Sequence, residues 1–542
     1  MSQLIEKIRH AVIGQRRAVE TPFGIKPLIY ADYTASGRSL EFVEDVIHKQ
    51  VMPVYANTHT ETTYTGAQTT AWRESARKMI RSAVNGTDED KVIFVGSGAT
   101  AAINRFIDVL NLRGQQKVGK TGGRKVVLVG PYEHHSNELP WRESAAEVLV
   151  IPLDSQGRLS LQALQQTLQS VQEAEIIIGS FSAASNVTGI KTDVDAVTRL
   201  LKSFGALVCW DYAAAGPYTA IDMTDKDAVF LSPHKFVGGP GTPGVLVAKS
   251  KWFRNAVPVV PGGGTVSFVT PEKHVYISDI ERREEAGTPA IIESIRAGLV
   301  VSLQKQVGID VIESRERDMA RYVMQRLQSI PDVQVLGSAD AERLPIFSLR
   351  FWHNGRELHY GFIVSLLNDL FGIQVRGGCS CAGPYAHHLL GLSVQQSEAI
   401  ESAVSQGASI MRPGWVRLNF NYFIDDEERE FLISAIELVA RYGWKLLPSY
   451  CYDTGSGVWR FAGQSNDKGD PVAEIDWLNM QPGSIASLGP ESLAQTLSEA
   501  ERHLAISPAA DNRSAFSMSS VFPEHESLRW FVSPDEVVCN DL

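Results

Sequence analysis

Short apolar runs alternate with amphipathic helical stretches over residues 91–249. Seven of these runs are rich in β-branched residues, namely KVIFV, KVVLV, EVLVIPL, EIIIGSF, ALVCWD, AVFLS and GVLVAK. Strands that alternate with helices favour a parallel sheet with helices on its faces. The pattern therefore predicts an α/β domain built on a mostly parallel sheet, preceded by a short N-terminal helical piece.

The pattern changes after Thr288. Helical periodicity over 291–327 is followed by apolar runs at 333–336 and 346–351 and by further helices to about residue 447. Mixed elements of this kind indicate a second, smaller α+β domain. We therefore divide the chain into a large domain with its N-terminal segment (1–295), a small C-terminal domain (296–447) and an acidic, partly ordered extension (448–542).

Two local predictions add detail to this division. The Thr-rich stretch 54–68 has no periodicity and is predicted to be a loop before a helix over 72–84. The last helix of the small domain should begin at Asp425 and Asp426, because side-chain acceptors and acids stabilise helix N-termini. Arg441 should lie near its other end.

Charge is distributed unevenly along the chain. Residues 446–542 carry 14 acidic and 5 basic side chains, whereas residues 1–445 carry 48 acidic and 46 basic ones. The nearly neutral body has no basic stripe, which argues against nucleic-acid binding. No run is long enough to span a bilayer, the N-terminus lacks a signal-peptide core, and five scattered cysteines suggest reduced thiols. We therefore expect a cytoplasmic protein.

Lys235 is the first candidate for chemistry. It lies in VFLSPHKFVGGPGTPGVLV (229–247), between an apolar strand and a glycine-proline loop. Partial desolvation at such a position lowers the pKa of an amine and frees it for Schiff-base chemistry. A surface lysine in a turn is the alternative, so the partners of Lys235 decide between the two interpretations.

A glycine turn in VGSGATAAIN (95–104) is a candidate phosphate site. Backbone N–H groups at a helix N-terminus bind phosphate, and the Thr100 hydroxyl could assist. Gly96, Gly98 and Ala101 also match the dinucleotide fingerprint, which expects an acid about 20 residues further on. The nearest acid after the next strand is Glu133, 37 residues beyond Gly96 (133 − 96), so a single-phosphate site is favoured.

Two further candidates directly follow strands. The segment YEHHSNELPW (132–141) places His134 where open α/β sheets bind ligands, although a loop histidine can also be purely structural. Asp211 ends the strand ALVCWD. A carboxylate at that position can cap the next element or keep a pyridinium nitrogen protonated.

A phosphate turn, a histidine, a strand-end aspartate and a lysine 24 residues later (235 − 211) are the parts that a pyridoxal 5′-phosphate (PLP) enzyme needs. In this order the motifs resemble the class V aminotransferase fold group, and within it the cysteine desulfurases and selenocysteine lyases. The resemblance covers about residues 29–447. It implies the type I fold of PLP-dependent transferases, with PLP as the cofactor.

The resemblance also implies roles for individual residues. Lys235 in SPHK would form the Schiff base with PLP, and Ser232 and His234 would hold the phosphate. His134 would stack on the cofactor ring. Asp211 would pair with the ring nitrogen.

Further positions follow from the same resemblance. Ala99 and Thr100 stand where the family has two threonines, so one phosphate-binding hydroxyl is missing. Asn186 in SNVTG would face the ring or the substrate. Thr265 in GGGT would reach the PLP phosphate of a neighbouring subunit, which implies a homodimer with active sites at the interface. Ala214 replaces the glutamine that usually bonds the cofactor phenolate.

The segment QVRGGCSCAGPYAHH (374–388) determines the implied reaction. It is similar to the desulfurase loop, in which Arg376 would bind the substrate carboxylate and Cys381 would be the thiol that accepts sulfur. Arg417 in GWVRLNFNYF matches a second substrate arginine, with a structural ion pair as the alternative. Cys379 is an additional thiol.

A zinc site is the alternative for the same segment. Its candidate ligands would be two cysteines and two histidines, namely Cys379, Cys381, His387 and His388. Their C-x-C-x5-H-H spacing does not correspond to a known structural zinc site, so no metal is predicted.

Three hypotheses about function follow. The first is desulfuration of L-cysteine to alanine with a persulfide on Cys381, followed by transfer to a possible sulfur-acceptor protein. The second keeps the fold and PLP but changes the outcome to that of a selenocysteine lyase, C–S lyase, aminotransferase or epimerase, for which Ala214 leaves room. The third is a non-enzymatic scaffold whose acidic extension recruits partners.

Overall fold

A seven-stranded sheet forms the centre of the computed structural model, which describes residues 2–58, 60–114, 123–464, 469–472, 474–479, 486–505 and 516–537. In spatial order its strands are Asp90–Val95, Gly244–Lys249, Ala228–Leu231, Leu207–Asp211, Ile176–Ser182, Lys125–Val129 and Glu147–Val150. Strand Gly244–Lys249 is antiparallel to both its neighbours, and the other neighbouring pairs are parallel. The predicted α/β class with a mostly parallel sheet is confirmed.

The sheet is apolar on both faces, which explains why its strands appear as unbroken apolar runs in the sequence. Side chains alternate along each strand, so Val126 and Leu128 pack in one core while Val127 and Val129 pack in the other. Helices that contribute to these two cores include Tyr64–Ala83, Gly98–Val109, Leu161–Ser170, Val194–Ser203 and Ile291–Val307. Both faces of the sheet are therefore covered.

A second, antiparallel sheet lies in the C-terminal half. Its strands follow the order Val333–Val335, Ile346–His353, Trp415–Asn419 and Arg376–Gly378, and Arg356–Leu358 pairs with Ile346–His353. Its helices are Ile309–Gln328, Tyr360–Phe371, Gly383–Leu390, Val394–Ser405 and Asp426–Tyr442. Asp425 Oδ1 accepts the Glu428 N–H at 2.8 Å, which confirms the predicted start of the last of these helices.

The shorter elements connect or flank these layers. They are the helices Ser2–His10, Glu41–Val46, Leu139–Arg142 and Ile280–Arg283 and the strands Ala18–Thr21, Gly24–Pro27, Ile29–Tyr30, Val266–Val269, His274–Tyr276 and Ile373–Gln374. Strand Ile29–Tyr30 pairs in parallel with Ile373–Gln374, so the N-terminal segment reaches the C-terminal half of the chain. Within the described residues, no helix has the length and apolar character needed to cross a membrane.

Two local predictions differ from the structure. The segment predicted as a loop contains the start of helix Tyr64–Ala83, capped by the Thr63 hydroxyl, which accepts the Gly66 N–H. This helix buries polar side chains such as Arg73, which pairs with Glu285, so its buried face shows no apolar periodicity. The helical stretch 291–327 is divided at Gly308, whose φ of +92° ends the first helix.

Part of the C-terminal extension packs against the small-domain core. The hairpin Tyr450–Asp453 and Val458–Phe461 and the helices Glu491–Ala505 and Met518–Val521 contribute to that core. Trp459 is buried and Trp530 is partly buried, whereas Trp477 is exposed. The proposed domain limits stay a prediction.

Candidate active site

A cavity of about 940 Å³ lies at the carboxyl edge of the central sheet, between this sheet and the loops of the second sheet. Ser182 and Asp211, each the last residue of a parallel strand, both line it, as expected for the ligand-binding edge of an α/β sheet. Except for Thr265, the predicted site residues all line it, namely Ala99, Thr100, His134, Asn186, Asp211, Ser232, His234, Lys235, Arg376, Cys381 and Arg417.

Lys235 ends a short 3₁₀ turn, Pro233–Lys235, that follows strand Ala228–Leu231. Burial lowers the pKa of its amine to about 8, although Asp211 opposes the shift. A lysine with this pKa has a substantial neutral fraction near neutral pH, because its ordinary pKa is about 10.4. Lys235 is therefore suited to act as a nucleophile or as a base.

The turn at Gly98 closes one end of the cavity. Gly98 has a φ of +55° and begins helix Gly98–Val109, and the Ala99 N–H donates to Ser232 Oγ at 2.9 Å. A Cβ on Gly98 would lie 2.9 Å from Ser232 Oγ, so glycine is required for this close approach. Helix N-termini attract anions, and a phosphate fits this end.

His234 faces the same end of the cavity. Its Nε2 is buried and has no hydrogen-bond partner in the part of the chain that the structure describes. Burial, with a contribution from the Lys235 cation, lowers its pKa to about 4. A buried ring nitrogen without a partner is costly, so a ligand oxygen that bonded it would remove that cost.

His134 is held by Ser136. Its Nδ1 accepts the Ser136 N–H at 3.1 Å, and the Ser136 hydroxyl lies 3.0 Å from Nδ1 and 2.7 Å from Thr100 Oγ1. Burial, with the nearby Lys235, lowers the pKa of His134 to about 3. The ring is therefore neutral and fixed in orientation, as a stacking partner for a flat cofactor should be.

Asp211 lines the cavity, and Lys235 is the cation that lies close enough to influence its carboxylate. Its Oδ1 accepts the Ala213 N–H at 2.8 Å. Burial raises its pKa, and the Ala213 hydrogen bond and Lys235 oppose the shift. Ala214, at the usual glutamine position, also lines the cavity but offers it only a methyl group.

Arg376 and Arg417 are joined by a residue that sequence reasoning missed. Asp32 accepts from Arg417 Nη2 through Oδ1 and from Arg376 Nε through Oδ2, each at 3.0 Å. Arg417 is buried and also donates to the Asn186 carbonyl at 3.1 Å, whereas Arg376 is largely exposed. The structural ion pair that was the alternative for Arg417 therefore exists, and its acidic partner, Asp32, comes from the N-terminal segment. Because Asp32 is itself a carboxylate, the two arginines are already arranged to bind a carboxylate group.

Cys381 lies in a tight turn over residues 379–382. The Ala382 N–H donates to the Cys379 carbonyl at 3.2 Å, and Ser380 and Cys381 both have a φ of +55°, as in a type I′ turn. The left-handed region costs a non-glycine residue about 1–2 kcal/mol. The turn is therefore maintained by its surroundings.

Four hydrogen bonds hold this turn against the rest of the site. Asn186 Nδ2 donates to the Ser380 carbonyl at 2.8 Å, and Trp415 Nε1 donates to Ser380 Oγ at 3.1 Å. The His135 N–H donates to the Cys381 carbonyl at 2.8 Å, and His135 Nε2 accepts the Gly383 N–H at 2.9 Å. His135, which had no predicted role, thus connects the thiol turn to the segment that carries His134.

Glu133 is a third residue to which the sequence analysis assigned no role in the site. Its buried carboxylate accepts from the Gly130 and Ser182 N–H groups, the Ser182 hydroxyl and Asn137 Nδ2, at 2.5–3.1 Å. Burial raises its pKa to about 7, although these bonds oppose the shift. Glu133 therefore ties the segment before His134 to the end of strand Ile176–Ser182.

Of the remaining candidates, His387 also lines the cavity, whereas Thr265 does not. Within the described ranges, no group of three or more His, Cys, Asp and Glu side chains is placed to hold a metal ion. His387 Nδ1 lies 2.8 Å from the Ser397 hydroxyl. Thr265 is buried beside an exposed hairpin, and its hydroxyl donates to the Gly262 carbonyl at 2.7 Å.

Solved structures share this fold. A cysteine desulfurase from Thermococcus onnurineus in its apo form superposes with a TM-score of 0.63 at 23% identity, covering 76% of this chain and 95% of the other. A cysteine desulfurase from Escherichia coli superposes with a TM-score of 0.59 at 22% identity, covering 75% of this chain and 93% of the other. These similarities support the fold.

The chain is also similar in sequence to proteins of the same kind. A probable cysteine desulfurase of Streptomyces coelicolor is 26% identical over 363 residues, which are 66% of this chain and 84% of the relative. One of Staphylococcus epidermidis is 28% identical over 380 residues, which are 69% of this chain and 88% of the relative. The family described as Aminotransferase class-V matches residues 29–413, most of the chain. The protein belongs to the class V aminotransferase family.

Proposed function

We propose that the protein is a PLP-dependent cysteine desulfurase, which removes sulfur from L-cysteine and gives alanine and a persulfide on Cys381. The observation that carries this proposal is that three functional groups line one cavity. They are the amine of Lys235, the carboxylate-binding pair Arg376 and Arg417, and the thiol of Cys381. The similarity to proteins named probable cysteine desulfurase supports the same reaction.

Class V enzymes use PLP, and the cavity fits it. The Gly98 turn, Ser232 and the unpartnered His234 Nε2 would hold the phosphate. His134 would lie against the ring, and Asp211 would face the ring nitrogen. When bound, PLP withdraws electrons from the substrate carbon that carries the amino group.

The arginines orient the substrate. A guanidinium group binds a carboxylate through two parallel hydrogen bonds, and Arg417 is rigid because it is buried between Asp32 and the Asn186 carbonyl. Arg376 is exposed and can adjust as the substrate enters. The substrate carboxylate would share or replace the position that Asp32 holds between the two side chains.

Lys235 and Cys381 carry out the proton and sulfur steps. Because burial lowers the Lys235 pKa to about 8, its Nζ can accept and return a proton near neutral pH. The Cys381 thiolate attacks the substrate sulfur, so that an S–S bond forms and the substrate C–S bond breaks. The substrate carbon keeps the electron pair, takes a proton and becomes the methyl group of alanine.

Replacing Cys381 with alanine is expected to lower alanine production from L-cysteine by about 10²-fold, because the thiolate that attacks the substrate sulfur is lost. Alanine and protein-bound persulfide would be measured for wild type and variant. Cys451→Ala is the matched control, since Cys451 lies in the hairpin of the extension and not in the cavity. Undiminished turnover in Cys381→Ala would rule out the thiol mechanism.

One observation favours a second candidate reaction. Ala214 leaves the cofactor phenolate without the side-chain amide that the family usually supplies, which would change the electronic properties of the cofactor. A selenocysteine lyase, C–S lyase, aminotransferase or epimerase activity of the same fold is then the alternative. Product analysis with several amino acids separates these reactions from desulfuration.

We further propose a homodimer in which Thr265 reaches the site of the second copy. The hairpin Val266–Val269 and His274–Tyr276, which follows Thr265, exposes Phe268, Val269 and Val275 by 66%, 58% and 54%. A two-stranded hairpin is marginally stable alone, and clustered exposed apolar side chains mark interaction sites. A second copy would cover this surface.

Phe268→Asp is expected to shift the molar mass in solution from that of a dimer (2 × 59.5 kDa) to that of a 59.5 kDa monomer, because a charge would be buried at the interface. Light scattering after size-exclusion chromatography measures this directly. Val394→Asp, at a position 73% exposed in the small domain, is the control and should leave the mass unchanged. A monomeric wild type would refute the proposed dimer.

The remaining partners follow from the proposed reaction. A persulfide needs an acceptor, so we propose that a sulfur-acceptor protein docks near the cavity mouth. Among the described residues the cysteines are free thiols, namely Cys209, Cys379, Cys381 and Cys451. Reduced thiols and a persulfide intermediate suit the cytoplasm, which is a reducing compartment.

A further inference from the structure

Two thiols share the turn that carries the proposed nucleophile. Cys379 is its first residue and Cys381 its third, and both are exposed, free and part of the same cavity wall. Residues separated by one position lie within about 7 Å of each other at Cα, and a turn brings them closer. This separation lies in the range over which two cysteine sulfurs can meet.

The two thiols differ in how firmly they are held. Cys381 has a left-handed backbone, and its carbonyl accepts the His135 N–H, while neighbouring Ser380 is bonded by Asn186 and Trp415. Moving Cys381 out of the cavity would break these bonds. The Cys381 backbone is therefore fixed in the cavity wall, and its thiol stays at this one position.

The surroundings of the two thiols also differ. Cys381 lies close enough to the buried Arg417 to interact with its charge, whereas Cys379 and Arg412 both lie close enough to Tyr360 to do so. Arg412 is exposed and lines the cavity. Its guanidinium makes no hydrogen bond or ion pair within the ranges that the structure covers. Cys379 thus lies on the Arg412 side of the turn, whereas Cys381 lies on the Arg417 side.

We propose that Cys379 is a second sulfur carrier, which takes the sulfane sulfur from Cys381 and presents it at the exposed mouth of the cavity beside Arg412. This inference rests on the proposed desulfurase function. The Cys379 thiolate attacks the outer sulfur of the Cys381 persulfide. A new S–S bond forms on Cys379, the old one breaks, and Cys381 leaves as a thiolate that is ready for another substrate. No oxidant or reductant is consumed, and Arg412 compensates the negative charge of the outer persulfide.

The relay predicts that each chain can store two sulfur atoms. The PLP-loaded protein would be given only a small molar excess of L-cysteine and no other thiol, and alkylated after short intervals. The proteolytic peptide that contains both cysteines would then be analysed by tandem mass spectrometry. Wild type should produce about two alanines per chain, with sulfane sulfur first on Cys381 and then on Cys379. Cys379→Ser should stop at about one alanine, with all the sulfur on Cys381.

The control variants distinguish sulfur transfer to Cys379 from the desulfuration reaction that supplies the sulfur. Cys451→Ser should behave as wild type, and Cys381→Ser should carry no sulfur on Cys379. The relay is overturned if wild type stops at about one alanine with sulfur on Cys381 alone, or if Cys379 and Cys381 form a disulfide and release sulfide. A wild type that forms no alanine at all would instead overturn the desulfurase function, and the relay with it.

Discussion

Lys235→Ala should abolish the visible absorbance of bound PLP and lower alanine production by about 10⁴-fold, the largest effect expected in this chain. Lys235 supplies the amine that holds the cofactor and moves the proton, and the cavity wall contains no second lysine among the described residues. Loss of the amine therefore removes attachment and proton transfer together. Absorbance spectra and alanine assays on purified protein measure the two losses separately.

Two controls distinguish chemistry from folding. Lys235→Arg keeps a positive charge beside Asp211 but cannot form a Schiff base, so it should be as inactive as the alanine variant. Lys78→Ala removes an exposed lysine from helix Tyr64–Ala83 and should retain full absorbance and activity. Persistence of the cofactor absorbance in both Lys235 variants would refute Lys235 as the attachment site.

Asp211→Asn should lower alanine production by about 10³-fold while PLP remains bound. A buried carboxylate can hold the ring nitrogen protonated, whereas a neutral amide cannot, so the ring would withdraw electrons less strongly. Because the Oδ1 position still accepts the Ala213 N–H, the backbone should be unchanged. Turnover number and the position of the cofactor absorbance band are the quantities to measure.

Conservative replacement sharpens this test. Asp211→Glu keeps the charge and should recover part of the activity that Asp211→Asn loses. Asp222→Asn, at a carboxylate that bonds the Thr224 N–H at an exposed site, is the matched control and should be fully active. Full activity in Asp211→Asn would show that the ring nitrogen does not need this carboxylate.

The strands and most of the site could be predicted because short stretches of the sequence determine both. Apolar runs such as 125–129 determine buried strands, and Asp211 and Lys235 follow their strands directly. The carboxyl ends of parallel strands meet at one edge, so these side chains had to come together. Thr265 was expected to serve a second subunit, and a single chain does not test that prediction.

The residues that sequence reasoning missed act through partners far away in the chain. Asp32 and Arg417 are 385 positions apart, and no local pattern predicts their pairing. His135 resembles any second histidine in a loop until its ring is seen to accept the Gly383 N–H. The early start of helix Tyr64–Ala83 was missed for a related reason, since its buried arginines pair with a distant glutamate.

The contact between the two ends of the described chain has a consequence for protein synthesis. Lys26, in the N-terminal hairpin, is fully buried and bonds Glu499, 473 positions later, while the Ala18 N–H donates to the Ala486 carbonyl. A hairpin emerging early from the ribosome cannot make these contacts until helix Glu491–Ala505 has followed it. Contacts of such long sequence separation slow folding. The hairpin therefore cannot complete its packing until helix Glu491–Ala505 has been synthesised, and until then it is open to chaperones and proteases.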